Sequence, residues 1–154
     1  MNMKQNKKFN IESGNMRAYS SGLLQGTAYN KLHVGLTSAL APFNIYIPEW
    51  KLLGQLHENG KIRLSELATL LSYDPPMVTK LAKGLEKKKL LKREYDKQDE
   101  RAKLIVNTAA GNALIEEIEP IVKKQMRIAL KGVNPEELKT YLKVLNTIVE
   151  NAGN

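Results

Sequence analysis

Lys80, Lys83 and Lys87 recur three and four residues apart, the spacing that sets side chains along one face of a helix. Pro76, Met77 and Thr79 share that face. Val78, Leu81, Ala82 and Leu85 keep the i, i+3, i+4, i+7 rhythm of a buried stripe and so turn the other side outward. An ammonium can donate to phosphate oxygens or to guanine acceptors, while Met, Pro and a Thr methyl can meet a thymine methyl. The chemistry on offer is therefore recognition of a polyanion, not bond making. Lysines on an arbitrary helix are usually solvated surface, so the surrounding elements have to decide between the two readings.

The charge is local. The 154 residues carry 24 Lys and Arg against 16 Asp and Glu, a net +8. Residues 77–108 hold ten basic and five acidic side chains, whereas 18–76 and 109–154 are each balanced. Confining the excess to one segment is what a phosphate-docking surface requires. The 42% hydrophobic content suits one compact domain, or one domain with a helical extension. The absence of cysteine excludes disulfides, Cys-ligated metal and thiol redox sensing. His33 and His57 are not at metal-ligand spacing. No nucleophile–base set, phosphate-cradling loop or metal cluster is evident, so neither an enzyme nor a cofactor is expected. Apolar runs are too short to span a membrane, and the N-terminal basic residues precede no apolar run of the kind a secretory leader needs. A soluble, cytoplasmic protein is expected.

The elements that must position the lysines follow from caps and periodicity. Residues 1–15 are polar and read as an arm. Leu24, Ala28, Leu32, Leu36 and Leu40 give a first helix from about Met16 to Ala41, ended by Ala41-Pro42. A second helix starts at about Pro48, with Ile47 as a poor cap, and stops at Asn59-Gly60. After an alternating piece at Ile62 and Leu64, Ser65 can cap a third helix carrying Leu67, Ala68 and Leu71. Asp74 can cap the lysine-bearing fourth, and the short turn between them makes a helix-turn-helix candidate. Leu90–Tyr95 and Ala102–Val106 read as strands of a hairpin with a protruding six-residue tip. Thr108 can cap a fifth helix with Leu114, Ile118, Ile121, Val122 and Ala129 along one side and a kink at Pro120. Asn134-Pro135-Glu136-Glu137 opens a sixth, striped by Leu138, Tyr141, Leu142, Leu145, Ile148 and Val149.

This order resembles the multiple-antibiotic-resistance regulator (MarR) family of transcription factors. The likeness is carried by Ala41-Pro42 before Pro48-Glu49-Trp50, by Leu64-Ser65-Glu66-Leu67-Ala68, and by Val78-Thr79-Lys80-Leu81 followed by Leu85-Glu86-Lys87-Lys88. Asp99-Glu100-Arg101, then Leu104 to Thr108 and Gly111, are similar to the family's wing signature of Asp-x-Arg and Thr-x-x-Gly. The resemblance covers roughly residues 16–150. It implies a mainly α fold with a small β-wing, a winged helix-turn-helix flanked by long N- and C-terminal dimerisation helices. The expected division is an arm (1–15), an N-terminal dimerisation helix (16–46), a DNA-binding unit (47–108) and C-terminal dimerisation helices (109–154).

The resemblance further implies a homodimeric repressor of a pseudo-palindromic double-stranded DNA operator, relieved by a small aromatic or anionic effector. In that setting Pro76, Met77, Thr79, Lys80 and Lys83 would face the major groove. Arg101 at the hairpin tip would enter the minor groove, with Asp99 holding its guanidinium in direction. Lys87, Arg93, Lys97 and Lys103 would meet phosphates. Lys88 and Lys89 suit phosphate contact or solubilising charge better than base reading. Leu138, Tyr141, Leu142, Leu145, Ile148 and Val149 would pair two copies, a stripe that independently permits dimerisation. Tyr29, His33, Phe43 and Trp50 would lie where the dimer and DNA-binding parts meet, near an effector, although aromatic residues on apolar helix faces are usually core.

Three departures from the family pattern stand out. Pro75-Pro76 removes two backbone donors at the start of the fourth helix, Lys89 replaces a glycine at a left-handed cap, and Ile47 replaces a polar cap. The different-class alternative is a winged-helix module that contacts protein rather than DNA.

Overall fold

A computed structural model of the chain describes residues 18–95 and 103–152. The elements run α1 (Ala18–Leu40), a 3-10 turn (Ala41–Phe43), α2 (Ile47–Asn59), β1 (Ile62–Arg63), α3 (Leu64–Leu71), α4 (Pro75–Lys87), β2 (Leu91–Tyr95), β3 (Lys103–Asn107), α5 (Ala109–Ala129) and α6 (Pro135–Ala152). The strands form one antiparallel sheet in the order β1-β3-β2. Ile105 at its centre is opposite Ile62 on one side and Arg93 on the other. This is the expected helical frame with a small wing.

Caps explain most of the boundaries. The Asp74 carboxylate accepts the Met77 N–H at 2.7 Å, and the Thr108 hydroxyl accepts that of Gly111 at 3.1 Å. Asn134 and Glu137 cap each other reciprocally, at 2.9 and 2.8 Å. Two starts differ from expectation. The cap of α2 is Tyr46, not Ile47, because the Glu49 carboxylate reaches back to the Tyr46 N–H at 3.0 Å. Arg63, not Ser65, caps α3, and Glu66 accepts the Arg63 N–H at 3.3 Å. Leu64 is thus helical and the strand before it is only two residues long. In both cases a carboxylate three residues into the helix satisfies the free donor, so the capping residue itself needs no acceptor side chain.

The main core gathers α2, α3, α4, the sheet and α5 around Leu52, Leu53, Leu67, Val78, Ala82, Leu85 and Ile105, all with 0% exposure. Burying each large aliphatic side chain contributes about 1.5–3 kcal/mol, and Leu81 packs at its edge as expected. A smaller core holds Leu40 of α1 against Ile118 and Val122 of α5, and Phe43, Trp50 and Leu114 touch both cores. The fifth-helix stripe is narrower than its sequence suggests. Ile115, Ile118 and Val122 are buried, whereas Ile121 and Ala129 are exposed. The helix runs through Pro120 without interruption.

The sixth helix buries nothing. Leu138 is half-buried, while Tyr141, Leu142, Leu145, Ile148 and Val149 are exposed. Most of α1 is likewise uncovered, including Leu23, Tyr29, Leu32 and Val34.

One junction sets how the wing leaves α4. Lys89 adopts φ 60. The Leu90 N–H reaches back to Leu85 O at 3.0 Å and the Lys89 N–H to Glu86 O at 2.9 Å, the two bonds of a Schellman ending. A lysine at this left-handed position is strained by about 1–2 kcal/mol relative to glycine. The first turn of α5 closes onto the same junction. Thr108 donates its N–H to Leu90 O at 3.0 Å and its hydroxyl to Lys89 O at 2.8 Å.

Candidate nucleic-acid interface

The start of α4 is built for exposure. Asp74 caps it, and Pro75 and Pro76 occupy positions whose N–H groups would have no partner inside the helix. Inward packing of Val78, Ala82 and Leu85 leaves Pro76, Lys80, Lys83 and Lys87 exposed. Pro75, Pro76, Thr79, Lys80, Lys83, Gly84 and Lys87 line one shallow open groove along this side. The Thr79 hydroxyl donates to Pro75 O at 2.9 Å, so its methyl is what the groove offers. Met77 is half-buried and outside that lining. Among the described residues, Lys80, Lys83 and Lys87 have no acidic partner.

Arg93, Lys88, Lys92 and Lys61 are already paired. Arg93 donates through Nε to Glu86 Oε1 at 2.8 Å, bracing β2 against α4, and its Nη2 is buried without a partner among the described residues. Lys88 points inward to Glu49 and Asn44 rather than outward beside Lys87. Glu94 of β2 accepts from Lys61 and, at 3.0 Å, from Lys92. The hydrogen bond from Lys61, then that from Lys92, holds the Glu94 carboxyl below its ordinary value. Lys97, Asp99 and Arg101 lie outside the described residues, as does the Lys103 side chain; the Lys103 backbone pairs with Tyr95.

Sequence reasoning missed Lys61, Glu94 and the inward Lys88. Lys92 and Glu94 stand two apart on one strand face, but nothing local points to Lys61, 33 residues from Glu94.

A second concavity of about 290 Å³ lies between α1, α2 and α5. Tyr29, His33, Leu36, Trp50, Val122 and Met126 are among its walls, with Lys31 and Lys51 at hand. The Tyr29 and His33 rings stand 5.7 Å apart. Three of the four aromatic and histidine residues expected at the junction therefore meet there. Phe43 instead packs beneath, against both cores.

A match to a family model spans α2 to the start of β3 and so includes α4, from Ile45 at the end of the first connection to Lys103. The model matched by residues 45–103 is that of the MarR family. The chain is 34% identical over 88 residues to an uncharacterised HTH-type transcriptional regulator, YhbI, of Bacillus subtilis. That match spans 57% of each chain. Among solved structures, the chain is similar to AbsC, a MarR-family transcriptional regulator from Streptomyces coelicolor (TM-score 0.80, 22% identity, 90% of this chain and 97% of that one). It is also similar to a mutant MarR from E. coli complexed with operator DNA (0.78, 22%, 86% and 99%). A third is BpsR of Bordetella bronchiseptica, whose DNA binding is regulated by 6-hydroxynicotinic acid (0.75, 23%, 84% and 98%). At these identities the solved structures establish a shared fold, and it extends well past the segment matched by the family model into the terminal helices.

Proposed function

We propose that the protein is a homodimeric, sequence-specific regulator of transcription that binds a pseudo-palindromic site on double-stranded DNA. The observation that carries this is the set Lys80, Lys83 and Lys87, without an acidic partner among the described residues, on one exposed groove of α4. It is an element of the width that fits a major groove. Pro76, Met77 and Thr79 supply apolar contacts beside Lys80 and Lys83, Lys87 and Lys103 meet phosphates, and Arg93 adds to them only by exchanging Glu86 for a phosphate. Lys97, Asp99 and Arg101 between β2 and β3 act at the adjoining minor groove.

Two copies pair through residues 16–46 and 109–154, flanking a DNA-binding unit at 47–108. The support is the exposed stripe Tyr141, Leu142, Leu145, Ile148 and Val149, too much apolar surface for a lone chain of this size. Pairing across a two-fold axis sets two α4 helices about one DNA turn apart. The protein acts as a repressor, and a small aromatic or anionic effector in the cleft at Tyr29, His33 and Trp50 relieves it by favouring a different helix spacing.

Selection from a random duplex pool, followed by affinity measurement over salt, tests this reading. A DNA regulator enriches a two-fold-related sequence and shows a steep negative log–log salt slope. No enrichment and a flat slope would favour the protein-contacting module instead.

A further inference from the structure

Lys88 follows α4 directly, beside the lysine face, yet its ammonium is spent inside the molecule. It donates to Asn44 O at 2.7 Å and to both Glu49 carboxylate oxygens at 2.9 and 2.8 Å. That accounts for all three of its donors. The ammonium also stands 5.6 Å from the centre of the Tyr46 ring. Glu49 is 6% exposed and is held a second time by the Tyr46 N–H at 3.0 Å. Its carboxylate rests on α4 itself, since a Cβ at Gly84 would come 3.7 Å from Oε1.

These contacts fasten the end of α4 to the first turn of α2. Two residues earlier, Glu86 fastens it on another side to Arg93 of β2. Apolar burial of Val78, Ala82 and Leu85 gives α4 adhesion without direction, whereas hydrogen-bonded ion pairs fix angle and register. A partly buried pair of this kind contributes little net stability compared with an apolar pair of the same size. Direction is what it supplies.

We infer that Lys88 and Glu49 are positioning residues for recognition, setting the angle at which α4 presents Lys80 and Lys83 to a duplex. This rests on the duplex-binding reading above. Lys88 itself touches no phosphate.

The test uses the full chain and the duplex enriched from the random pool, with a scrambled duplex as the non-specific standard. Three variants are compared with the parent: Lys88→Met, the double variant Glu49→Leu with Lys88→Met, and Lys88→Arg. The double variant removes both charges together, so it keeps its fold where Lys88→Met alone strands a buried carboxylate. The expected result is a roughly tenfold fall in the specific-to-scrambled affinity ratio for the double variant, with the non-specific salt slope unchanged. Lys88→Arg should retain most of the ratio. A salt slope shallower by about one, with the ratio kept, would make Lys88 a phosphate contact and overturn the inference. An unchanged ratio in a folded double variant would reduce the pair to a structural role. A parent that discriminates among no duplexes at all would overturn the duplex-binding reading, and the inference with it.

Discussion

Gly111 and the Leu90 carbonyl stand so close that a Cβ on the glycine would lie 2.1 Å from the oxygen. The atom in the way is backbone, already accepting the Thr108 N–H at 3.0 Å, so it cannot swing aside as a side chain would. Here α5 is locked to the end of α4, which gives a physical reason for a glycine three residues after the capping threonine. Gly111→Ala should destabilise the protein by about 2–4 kcal/mol, read as a lowered urea midpoint. An alanine variant of parental stability would show that the junction can open at no cost.

The same junction predicts a gain. Lys89 holds φ 60 without a side-chain role among the described contacts. Lys89→Gly should relieve the left-handed strain, less the extra freedom glycine has when unfolded. The net expectation is a rise of about 0.5–1 kcal/mol, or some 2–4 °C per kcal/mol in a chain of this size. Calorimetry checks it.

How much of this was legible beforehand depends on the range of the interaction. Asp74, Thr108 and Asn134 announce their helices because each cap closes within three residues. The face of α4 is legible because Val78, Leu81, Ala82 and Leu85 repeat at the helical period. The caps at Tyr46 and Arg63 were misplaced by one and two residues, since the acceptor is supplied from inside the helix by Glu49 and Glu66. Lys88 reads as one of three consecutive lysines, and Glu49 and Asn44, 39 and 44 residues away, turn it inward. The cleft draws Val122 and Met126 from a distant helix, so the resemblance, and no local pattern around Tyr29, His33 and Trp50, points to it.

Glu94 gives stability a pH dependence. Its carboxyl is depressed by Lys61 first and Lys92 second. A depressed carboxylate stabilises the fold above its unfolded pKa of about 4.3, and that contribution is lost as pH falls through the folded value. Glu94→Gln should therefore be slightly less stable than the parent at neutral pH and converge with it in acid, with high salt shrinking the gap. It should also release Lys61 and Lys92 and tighten binding to scrambled duplex. Urea midpoints across pH, together with that affinity, test both.

Contacts proposed for DNA separate by their signatures. Arg101→Ala should weaken duplex binding and relax any preference for A·T flanks, while unchanged binding would refute the wing assignment. Lys80→Ala should cost about 1–3 kcal/mol at a few base positions if it reads bases. A uniform loss, with the salt slope reduced by about one, would mark a phosphate contact instead.

Leu145 lies mid-stripe on α6 and is 38% exposed in a single chain. Leu145→Asp should raise the dimer dissociation constant by about 30-fold or more, measured by sedimentation equilibrium. A variant that sediments like the parent would remove α6 from the contact.

A helix of 18 residues with no buried side chain has little to hold it in water, where isolated helices of that length are marginal. On the paired reading, α6 borrows its order from the other copy. Dilution should then strip far-ultraviolet ellipticity from this segment before the compact middle of the chain melts, and the melting temperature should climb with protein concentration. Cellular abundance would in that way act on the regulator's shape as well as on its number.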